Sequence, residues 1–463
     1  MNKFIVGLNE KIHFVGIGGI GMSGLAQIMY KMGFDVQGSD ISNNINIDRC
    51  KKMGIKVFQK HSASNIKNST IVVRSSAIKN NNIEIKASRK KKINILKRAE
   101  MLAQVVSLKK NIIITGSHGK TTTTSLIAKI LSEARLDPTI VNGGIINSFG
   151  GSAKLGNSDW AVLEADESDG SFLNLPINYS VVTNVDQEHI DFYKNFNNLK
   201  KSFIKFINKT PPFGKSFLCL DDKELQKIIK KNKQKNYLTY GFNKKANFQI
   251  TKTIYEKNHS VFNLKISIPS KKDKIIKNIK LNLIGSHNIL NSVAAIALCY
   301  HIGVNLNIIK KSLKNFSGIQ RRLTKILKVN RNEFFDDYAH HPTEIHSVLQ
   351  SLKNSNLDRK IISVFQPHRY SRLKLLKQEF SKSFKNSNLV LLCPIYPAGE
   401  KIDKSYDEKK FSELISTNSK VQVVIVKNLK FLNNFFKKNL IENEIVIGLG
   451  AGSISKWMRE IKF

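Results

Sequence analysis

The chain has 463 residues, too many for one ordinary hydrophobic core, so its length predicts about three domains. Hydrophobic residues make up 41% of it, and no apolar run approaches the roughly 18 residues that a membrane-spanning helix needs, which excludes a membrane-embedded protein. Residues 1–10 lack a long apolar stretch and a cleavage pattern, so we expect no signal peptide. Four scattered cysteines without a C-x-x-C pair are typical of reduced thiols in a cytoplasmic protein.

The formal net charge of +40 is extreme and has two possible explanations. A basic surface attracts polyphosphate, which would suit a nucleic-acid binder. The lysine runs at 90–92, 230–235 and 271–274, however, contain no interleaved aromatic residues and no RNA-binding signature. We therefore attribute the charge to lysine at generic surface positions and expect no nucleic-acid partner. Such a surface would still attract small anionic substrates.

The first motif is a glycine-rich turn between a predicted strand and a predicted helix. Gly16, Gly18 and Gly21 have the G-x-G-x-x-G spacing, and Asp40 follows the next strand about twenty residues later. This arrangement is typical of a Rossmann domain, in which a diphosphate approaches the N-terminus of the helix. NAD(P) and a UDP derivative both present a diphosphate, so the motif predicts a dinucleotide-like ligand without choosing between them.

A third predicted strand, at 70–74, ends in Ser75 and Ser76, whose hydroxyls are placed to line the same crevice. A predicted helix at 97–108 follows it. We place the first domain boundary near residue 108.

The second motif is a glycine-bounded turn at 116–119, between a short buried strand at 112–114 and an amphipathic helix. This geometry aims several backbone N–H groups and the positive helix end at one point, which suits a phosphate. Lys120 would bring its charge to a β- or γ-phosphate, and the Thr121 hydroxyl would ligate magnesium. The spacing is not the full G-x-x-x-x-G-K-[ST], because Ile114 occupies the position of the first glycine.

Two predicted strands of the second domain end in acidic segments, at 164–169 and at 184–191. Glu164 comes at the carboxyl end of its strand, where a nucleotide-bound metal would need a ligand. His189 alone would more often be a structural histidine. Beside two acidic strand ends and a phosphate loop, we interpret it as a metal ligand.

A later helix begins near Gly285 and carries Asn288 and Asn291, which are three positions apart and so near one face. These side chains either contact a nucleotide base or cap the helix, and their spacing does not separate the two roles. The second domain is predicted to end at residue 320.

The predicted strand ends of the third domain are also polar, at 336–344, 366–372 and 450–453. Arg369 and Arg372 are spaced to grip a carboxylate or a phosphate. Because polar clusters follow successive strands, the sequence predicts a site along the carboxyl edge of a parallel sheet.

The motifs that carry a family resemblance are 13–26, 116–122, 164–169, 287–291, 336–342, 366–372 and 396–400. Taken together, they resemble the Mur ligase family over essentially the whole chain. The resemblance implies an α/β fold of three domains: a Rossmann-like UDP-sugar-binding domain at 1–108, a central P-loop-type ATPase domain with a parallel sheet at 109–320, and a C-terminal Rossmann-like α/β domain at 321–463.

The resemblance also implies an activity, which is the ATP- and Mg²⁺-dependent joining of the UDP-N-acetylmuramate carboxylate to the amine of L-alanine. The reaction would pass through an acyl phosphate, release ADP and phosphate, and belong to peptidoglycan precursor synthesis. The implied partners are these two small substrates, without nucleic acid or membrane, for a cytoplasmic monomer or homodimer.

Residue roles follow from the same resemblance. Lys120, Glu164 and His189 would be catalytic, with one magnesium held by Thr121 and Glu164 and a second by His189. The residues assigned to ATP are Gly116, Ser117, His118, Gly119, Lys120, Thr121, Thr122, His287, Asn288, Asn291, Arg322 and Asp337. Those assigned to the UDP-sugar are Gly16, Gly18, Gly19, Gly21, Asp40, Ser75 and Ser76. The amino-acid side would be formed by Tyr338, His340, Arg369 and Arg372.

Three other interpretations differ in what they leave unexplained. A sibling ligase that adds a whole recycled peptide to the same UDP-sugar shares most third-domain motifs, but the form of residues 16–24 favours the alanine-adding type. An NAD(P)-dependent oxidoreductase would use the first glycine motif and leave 116–124 without a role. A nucleic-acid-binding protein would leave all the polar strand ends unexplained.

Overall fold

The computed structural model describes residues 10–231, 236–269 and 271–462. The expectation about a signal peptide lies, apart from its last residue, outside this range, and so does most of the lysine run at 230–235. None of the described helices is long and apolar enough to cross a membrane. By compactness the chain divides into two units, one of residues 1–252, 262–279 and 290–316 and the other of 253–261, 280–289 and 317–463.

The first sheet of unit 1 is parallel, with strand order β3-β2-β1-β4-β5. Its strands are β1 Lys11–Val15, β2 Asp35–Ser39, β3 Lys56–Phe58, β4 Ile71–Arg74 and β5 Asn94–Lys97. The helices between and after them are α1 Ile20–Lys31, α2 Ile45–Lys52, α3 Ile83–Lys90 and α4 Arg98–Val105, with a short 3₁₀ helix at Ala63–Ile66.

The central sheet has strand order β15-β14-β13-β12-β11-β10-β6-β9-β7-β8. Its strands are β6 Lys110–Thr115, β7 Thr139–Ile146, β8 Gly151–Lys154, β9 Trp160–Glu164, β10 Tyr179–Val182, β11 Lys215–Cys219, β12 Tyr237–Gly241, β13 Phe248–Tyr255, β14 Ser260–Ile266 and β15 Lys274–Leu281. The helices are α5 Lys120–Glu133, α6 Ile190–Tyr193, α7 Phe196–Asn208, α8 Lys223–Lys231, α9 Ser286–His301 and α10 Leu306–Lys314, with a 3₁₀ helix at Ser171–Asn174. Ile112, Ile113 and Ile114 are fully buried in β6, as a strand covered on both faces requires.

Unit 2 contains the third sheet, with strand order β16-β17-β21-β18-β19-β20. Its strands are β16 Thr324–Val329, β17 Asn332–Asp337, β18 Ile361–Phe365, β19 Leu389–Leu392, β20 Gln422–Ile425 and β21 Ile445–Leu449. The helices are α11 Pro342–Ser355, α12 Tyr370–Leu375, α13 Lys377–Ser381, α14 Glu408–Ser419, α15 Leu429–Asn439 and α16 Ile454–Arg459. Only the β16–β17 pair is antiparallel among the strand pairs described in this sheet.

The three sheets confirm the predicted α/β class, with parallel pairing dominant. The predicted boundary at 108 falls between α4, which ends at Val105, and β6, which begins at Lys110. The boundary at 320 falls between α10, which ends at Lys314, and β16, which begins at Thr324. Both boundaries stay predictions.

Candidate active site

The first glycine motif forms the turn between β1 and α1. Gly16 has φ of +82°, a conformation that favours glycine, and a Cβ there would come within 3.2 Å of the Cβ of Ser75. Gly19 is the N-cap residue of α1, and Gly21 lies in its first turn. Backbone groups of the turn therefore lie at the N-terminus of α1. Ser75 is half-buried beside the turn, and Ser76 is exposed.

Asp40 holds this turn together from the end of β2. The Gly18 N–H donates to Asp40 Oδ2 at 2.8 Å, while the N–H and hydroxyl of Ser42 donate to Oδ1 at 2.9 and 2.7 Å. Asn46 adds a bond from Nδ2 to the Gly18 carbonyl at 3.0 Å. Both carboxylate oxygens of Asp40 are therefore engaged in shaping the loop.

Sequence reasoning missed Arg98 in this region. Its guanidinium lies over the first turn of α1, where a Cβ on Gly21 would come within 3.2 Å of Arg98 Nη1. Arg98 is the first residue of α4, far from the glycine motif in sequence, so the motif alone contains no signal for it. The structure thus adds a cation to the proposed diphosphate site.

The second glycine motif forms the turn between β6 and α5. Gly116 has φ of +128° and Gly119 has φ of +83°. A Cβ would come within 2.2 Å of Thr183 Oγ1 at Gly116 and within 2.4 Å of Asn291 Oδ1 at Gly119. Both glycines are therefore required, by backbone conformation and by space. The buried Thr121 and Thr122 follow in the first turn of α5, whose N–H groups have no acceptor within the helix.

The loop and the acidic segments converge because their strands are neighbours. β6 lies between β10 and β9, with Thr115 in register with Val182 and Ile114 in register with Glu164. All three strands run parallel, so their carboxyl ends meet at one edge of the sheet. The strand order thus brings the phosphate loop and both acidic segments to the same edge of the sheet, as predicted.

The Lys120 ammonium is bonded at the centre of this edge. Its Nζ donates to the carbonyls of Gly116 at 2.6 Å and Ser117 at 3.1 Å, and to Glu167 Oε1 and Oε2 at 3.1 and 2.9 Å. Burial alone would lower the pKa of Lys120, but the surrounding carboxylates, Glu167 foremost, raise it above its usual value. Lys120 therefore carries a full positive charge at neutral pH.

Glu167 is fully buried, and sequence reasoning did not assign it a role although it belongs to the segment 164–169. Burial raises the pKa of its carboxyl to about 7, against the lowering effect of Lys120. The Tyr193 hydroxyl donates to the Glu167 carbonyl at 2.5 Å, which fixes the backbone of this residue.

Two of the predicted magnesium ligands, Thr121 and Glu164, are hydrogen-bonded to each other at the same edge. Thr121 Oγ1 donates to Glu164 Oε1 at 3.1 Å, and the Gly143 N–H donates to Glu164 Oε2 at 2.6 Å. His189 lies at the N-cap of α6 with φ of +57°, and its Nε2 is 3.7 Å from Glu167 Oε1 and 3.8 Å from Glu188 Oε2. The Thr121 hydroxyl and the Glu164 carboxylate are oxygen donors, which Mg²⁺ prefers, so these two fit that ion, whereas His189 offers a ring nitrogen.

The two asparagines of α9 have different surroundings. Asn291 is buried against the phosphate loop, where the Thr123 hydroxyl donates to its Oδ1 at 3.4 Å. Asn288 donates from Nδ2 to the Ile284 carbonyl at 2.8 Å, close to the start of the helix.

His287 is described within unit 2. Its Nδ1 lies 3.3 Å from the Ser351 hydroxyl, and burial together with the charge of Arg322 lowers the pKa of His287 to about 4.

Asp337 and Arg322 lie at the carboxyl end of β17. The N–H groups of Leu323 and Ala339 donate to Asp337 Oδ2 and Oδ1 at 2.7 and 2.8 Å. Burial raises the pKa of the Asp337 carboxyl to about 6, while Arg322 acts in the lowering direction. The Arg322 guanidinium lies 5.5 Å from the centre of the Tyr338 ring, a cation–π distance.

The residues predicted for the amino-acid side form one aromatic and basic cluster within unit 2. The rings of Tyr338 and His340 are 5.1 Å apart, and His340 lies 5.6 Å from His368. Arg372 donates from Nη1 to His368 Nδ1 at 3.3 Å. Burial and the nearby cations lower the pKa of His368 to about 3, so this ring is neutral in a positively charged pocket.

Arg369 joins this cluster through its backbone. Its φ of +70° is the left-handed region, and its N–H donates to the Tyr396 carbonyl at 2.9 Å. The Tyr396 ring in turn stacks on His368 at 5.6 Å. His368 and Tyr396 belong to the motifs at 366–372 and 396–400 but were not predicted as site residues. Their contacts place them beside the predicted ones.

Three family descriptions match the chain in order. They are Mur ligase family, catalytic domain, at residues 11–110; Mur ligase middle domain, at 114–299; and Mur ligase, glutamate ligase domain, at 321–452. The UDP-N-acetylmuramate–L-alanine ligase of Pelagibacter ubique is 55% identical over 459 residues, covering 99% of this chain and 99% of that protein.

Solved structures agree with these matches. The UDP-N-acetylmuramate-alanine ligase MurC from Thermotoga maritima superposes with a TM-score of 0.82 and 28% identity, covering 97% of this chain and 98% of that one. A murein peptide ligase from Psychrobacter arcticus superposes with a TM-score of 0.72 and 20% identity over 98% of this chain and 100% of that one, a likeness that shows the fold alone. The predicted three-domain α/β fold is confirmed.

Proposed function

The chain belongs to the Mur ligase family, and from this premise we propose that it joins L-alanine to UDP-N-acetylmuramate in peptidoglycan precursor synthesis. ATP drives the reaction and leaves as ADP and phosphate. The observation that carries the ATP half is the meeting of Lys120, Thr121 and Glu164 at one sheet edge. The substrate half is supported by similarity to alanine-adding ligases over the full chain.

In the first step, a carboxylate oxygen of the UDP-sugar attacks the γ-phosphorus of ATP. The bond from that phosphorus to the β,γ-bridging oxygen breaks, so ADP leaves and an acyl phosphate forms. Negative charge develops on the transferring oxygens, and Lys120 and the first-turn N–H groups of α5 neutralise it. Because the first-turn N–H groups are held in place by the helix, they need little reorganisation as the charge develops.

In the second step, the neutral amine of L-alanine attacks the acyl carbon. The bond from that carbon to the phosphate oxygen breaks, phosphate leaves, and the nitrogen loses a proton as the amide forms. Arg369 and Arg372 would bind the alanine carboxylate, since an arginine fork matches a carboxylate. Tyr338 and His340 would border the same substrate.

Magnesium fits the donors at the sheet edge, and we assign Thr121 and Glu164 to one ion and His189 to a second. The ions would supply charge neutralisation on the phosphates. The remaining ATP contacts are assigned to residues 116–119, Thr122, His287, Asn288, Asn291, Arg322 and Asp337. The UDP-sugar contacts are assigned to Gly16, Gly18, Gly19, Gly21, Ser75 and Ser76, with Asp40 shaping their loop.

We further propose that the domains divide at residues 108 and 320, and that the enzyme acts in the cytoplasm as a monomer or homodimer. ATP and nucleotide-sugar substrates are consistent with that compartment.

Phosphate release from ATP tests the function, measured with UDP-N-acetylmuramate together with L-alanine, glycine, L-serine or a tripeptide. We expect release that requires both the UDP-sugar and a small amino acid. Release with the tripeptide and not with L-alanine would instead identify a peptide-recycling ligase. No release with any pair would overturn the ligase assignment.

A further inference from the structure

The phosphate loop is held by a segment that the proposed chemistry does not use, residues 183–186, immediately after β10. Regular pairing between β6 and β10 reaches Thr115 and Val182, and the Thr183 N–H extends it to the Thr115 carbonyl at 3.1 Å. Beyond this point the loop turns at Gly116, so the regular strand pairing ends there.

Asn184 continues the pairing past the strand ends. Its carbonyl accepts from the Ser117 N–H at 3.1 Å. Its side-chain Oδ1 accepts from the His118 N–H at 2.8 Å, and its Nδ2 donates to the His118 carbonyl at 3.1 Å. The amide group thus bonds both polar groups of the His118 backbone, as the backbone of a neighbouring strand would.

The flanking residues of the segment bond the same part of the loop. Thr183 Oγ1 donates to the His118 carbonyl at 2.6 Å, and the Asp186 N–H donates to Ser117 Oγ at 2.8 Å. The His118 ring meets Asp186 from Nε2 to Oδ2 at 3.0 Å. Ser117 and His118 are therefore fixed through both backbone and side chains.

From these contacts we propose that Asn184 is a positioning residue for the phosphate loop. It fixes the conformation of Ser117 and His118, the part of the loop that precedes Gly119 and the first turn of α5. The N–H groups of Ser117 and His118 are bonded to Asn184, whereas those of the first turn of α5 have no acceptor within the helix. The first-turn N–H groups and Lys120 then meet the phosphates.

The same segment also links the loop to the metal side of the site. Asp186 precedes His189 by three residues, and His189 adopts a left-handed conformation as it begins α6. Because Asn184 fixes the start of this short connection, it constrains both the phosphate loop and the strand end that carries His189. The proposal rests on the assigned ATP site and deepens it.

The test compares Asn184→Ala with Asn178→Ala. Asn178 is also half-buried and also accepts a hydrogen bond from a backbone group, the Asn111 N–H at 2.8 Å, but at the opposite end of the same strand pair.

Calorimetry measures binding of ADP with magnesium and, separately, of UDP-N-acetylmuramate. We expect Asn184→Ala to weaken ADP binding by about tenfold or more, as the loss of two hydrogen bonds implies. UDP-sugar binding should be unchanged, and Asn178→Ala should alter neither.

Far-UV circular dichroism confirms folding, and Asn184→Ser gives the same comparison should the alanine variant fail to fold. Unchanged ADP affinity in a folded Asn184 variant would overturn the proposal, as would an equal loss in Asn178→Ala. Wild-type protein that binds ADP and does not ligate L-alanine would overturn the proposed function alone. Wild-type protein that binds no ADP would overturn both.

Discussion

The Nζ of Lys120 lies 2.9 Å from Oε2 of Glu167, and this ion pair is nearly closed to solvent, with side chains 13% and 0% exposed. Glu167 is the largest of the negative charges that compensate the buried Lys120 ammonium, and breaking a buried pair by removing one partner costs of the order of 3 kcal/mol. Glu167→Gln should therefore lower the melting temperature of the nucleotide-free protein.

The same variant should gain more from nucleotide than the wild type does, because phosphate oxygens would replace the lost carboxylate. Differential scanning fluorimetry with and without ATP and magnesium measures both effects. Glu133→Gln, which removes an exposed partner of Lys129 on α5, is the matched control and should change neither. A Glu167→Gln protein with an unaltered apo melting temperature would contradict this account of the pair.

Lys120→Ala should reduce phosphate release by about a hundredfold or more, because a preorganised cation at the developing charge is lost. Binding of UDP-N-acetylmuramate should remain nearly intact, since that substrate is assigned to the glycine turn after β1. Steady-state assay and calorimetry check the two statements, with Lys129→Ala on the same helix as the control. Lost UDP-sugar binding in Lys120→Ala would show that the two sites are not separate.

Thr121→Val keeps the shape of the side chain and removes the hydroxyl that lies 3.1 Å from Glu164 Oε1. With one oxygen ligand fewer, half-maximal phosphate release should need roughly tenfold more magnesium. Thr121→Ser restores the hydroxyl and should behave as the wild type. Identical magnesium titrations for the valine and serine variants would rule out Thr121 as a ligand.

The carboxylate of Glu84 is fully buried and is hydrogen-bonded to residues from separate segments around the first sheet. Ser39 Oγ donates to its Oε2 at 2.6 Å, Asn65 Nδ2 donates to its Oε1 at 2.6 Å, and His61 Nδ1 lies 2.9 Å from Oε2. Burial alone would raise the pKa of Glu84, but His13, whose Nε2 lies 3.5 Å from Oε1, and the hydrogen bonds from Ser39 and Asn65 lower it from the usual 4.5 to about 2.

A lowered pKa in the folded state means that the ionised form of Glu84 stabilises the fold. This contribution, about 3 kcal/mol from the size of the shift, is complete above pH 4.5 and is lost as the pH falls towards 2. Glu84→Gln should be less stable than the wild type at pH 7, and the difference should shrink between pH 4.5 and 2. Melting temperatures across that range measure it, and a difference independent of pH would contradict the role assigned to Glu84.

The sequence predicted the strand ends better than the contacts between them. The loop at 116–119 and the carboxylate of Glu164 could be placed, because periodicity marks where a buried strand stops and parallel strands stop at one edge. Glu167 could not be singled out among its acidic neighbours. Which side chain of an irregular loop turns inward depends on local backbone conformation.

Arg98 and Asn184 were missed for a related reason. Asn184 acts on His118, which is 66 positions away, and Arg98 acts on a turn at the other end of the first domain. Their roles depend on strand order and register, which local patterns do not contain. The prediction for His340 came from the family resemblance, and that for Arg372 also from its spacing to Arg369. Their contacts with His368 could be seen only in the folded chain.

The Asp40 carboxylate has a consequence for redesign of the first domain. In dinucleotide-binding enzymes an acid at this position reads the ribose, and its replacement is a usual route to altered cofactor preference. Here the same acid is bonded to Gly18 and Ser42. Exchanging it would loosen the glycine turn before it changed what the turn recognises. An engineer who wants a different nucleotide in this domain should leave Asp40 in place and vary the residues around it.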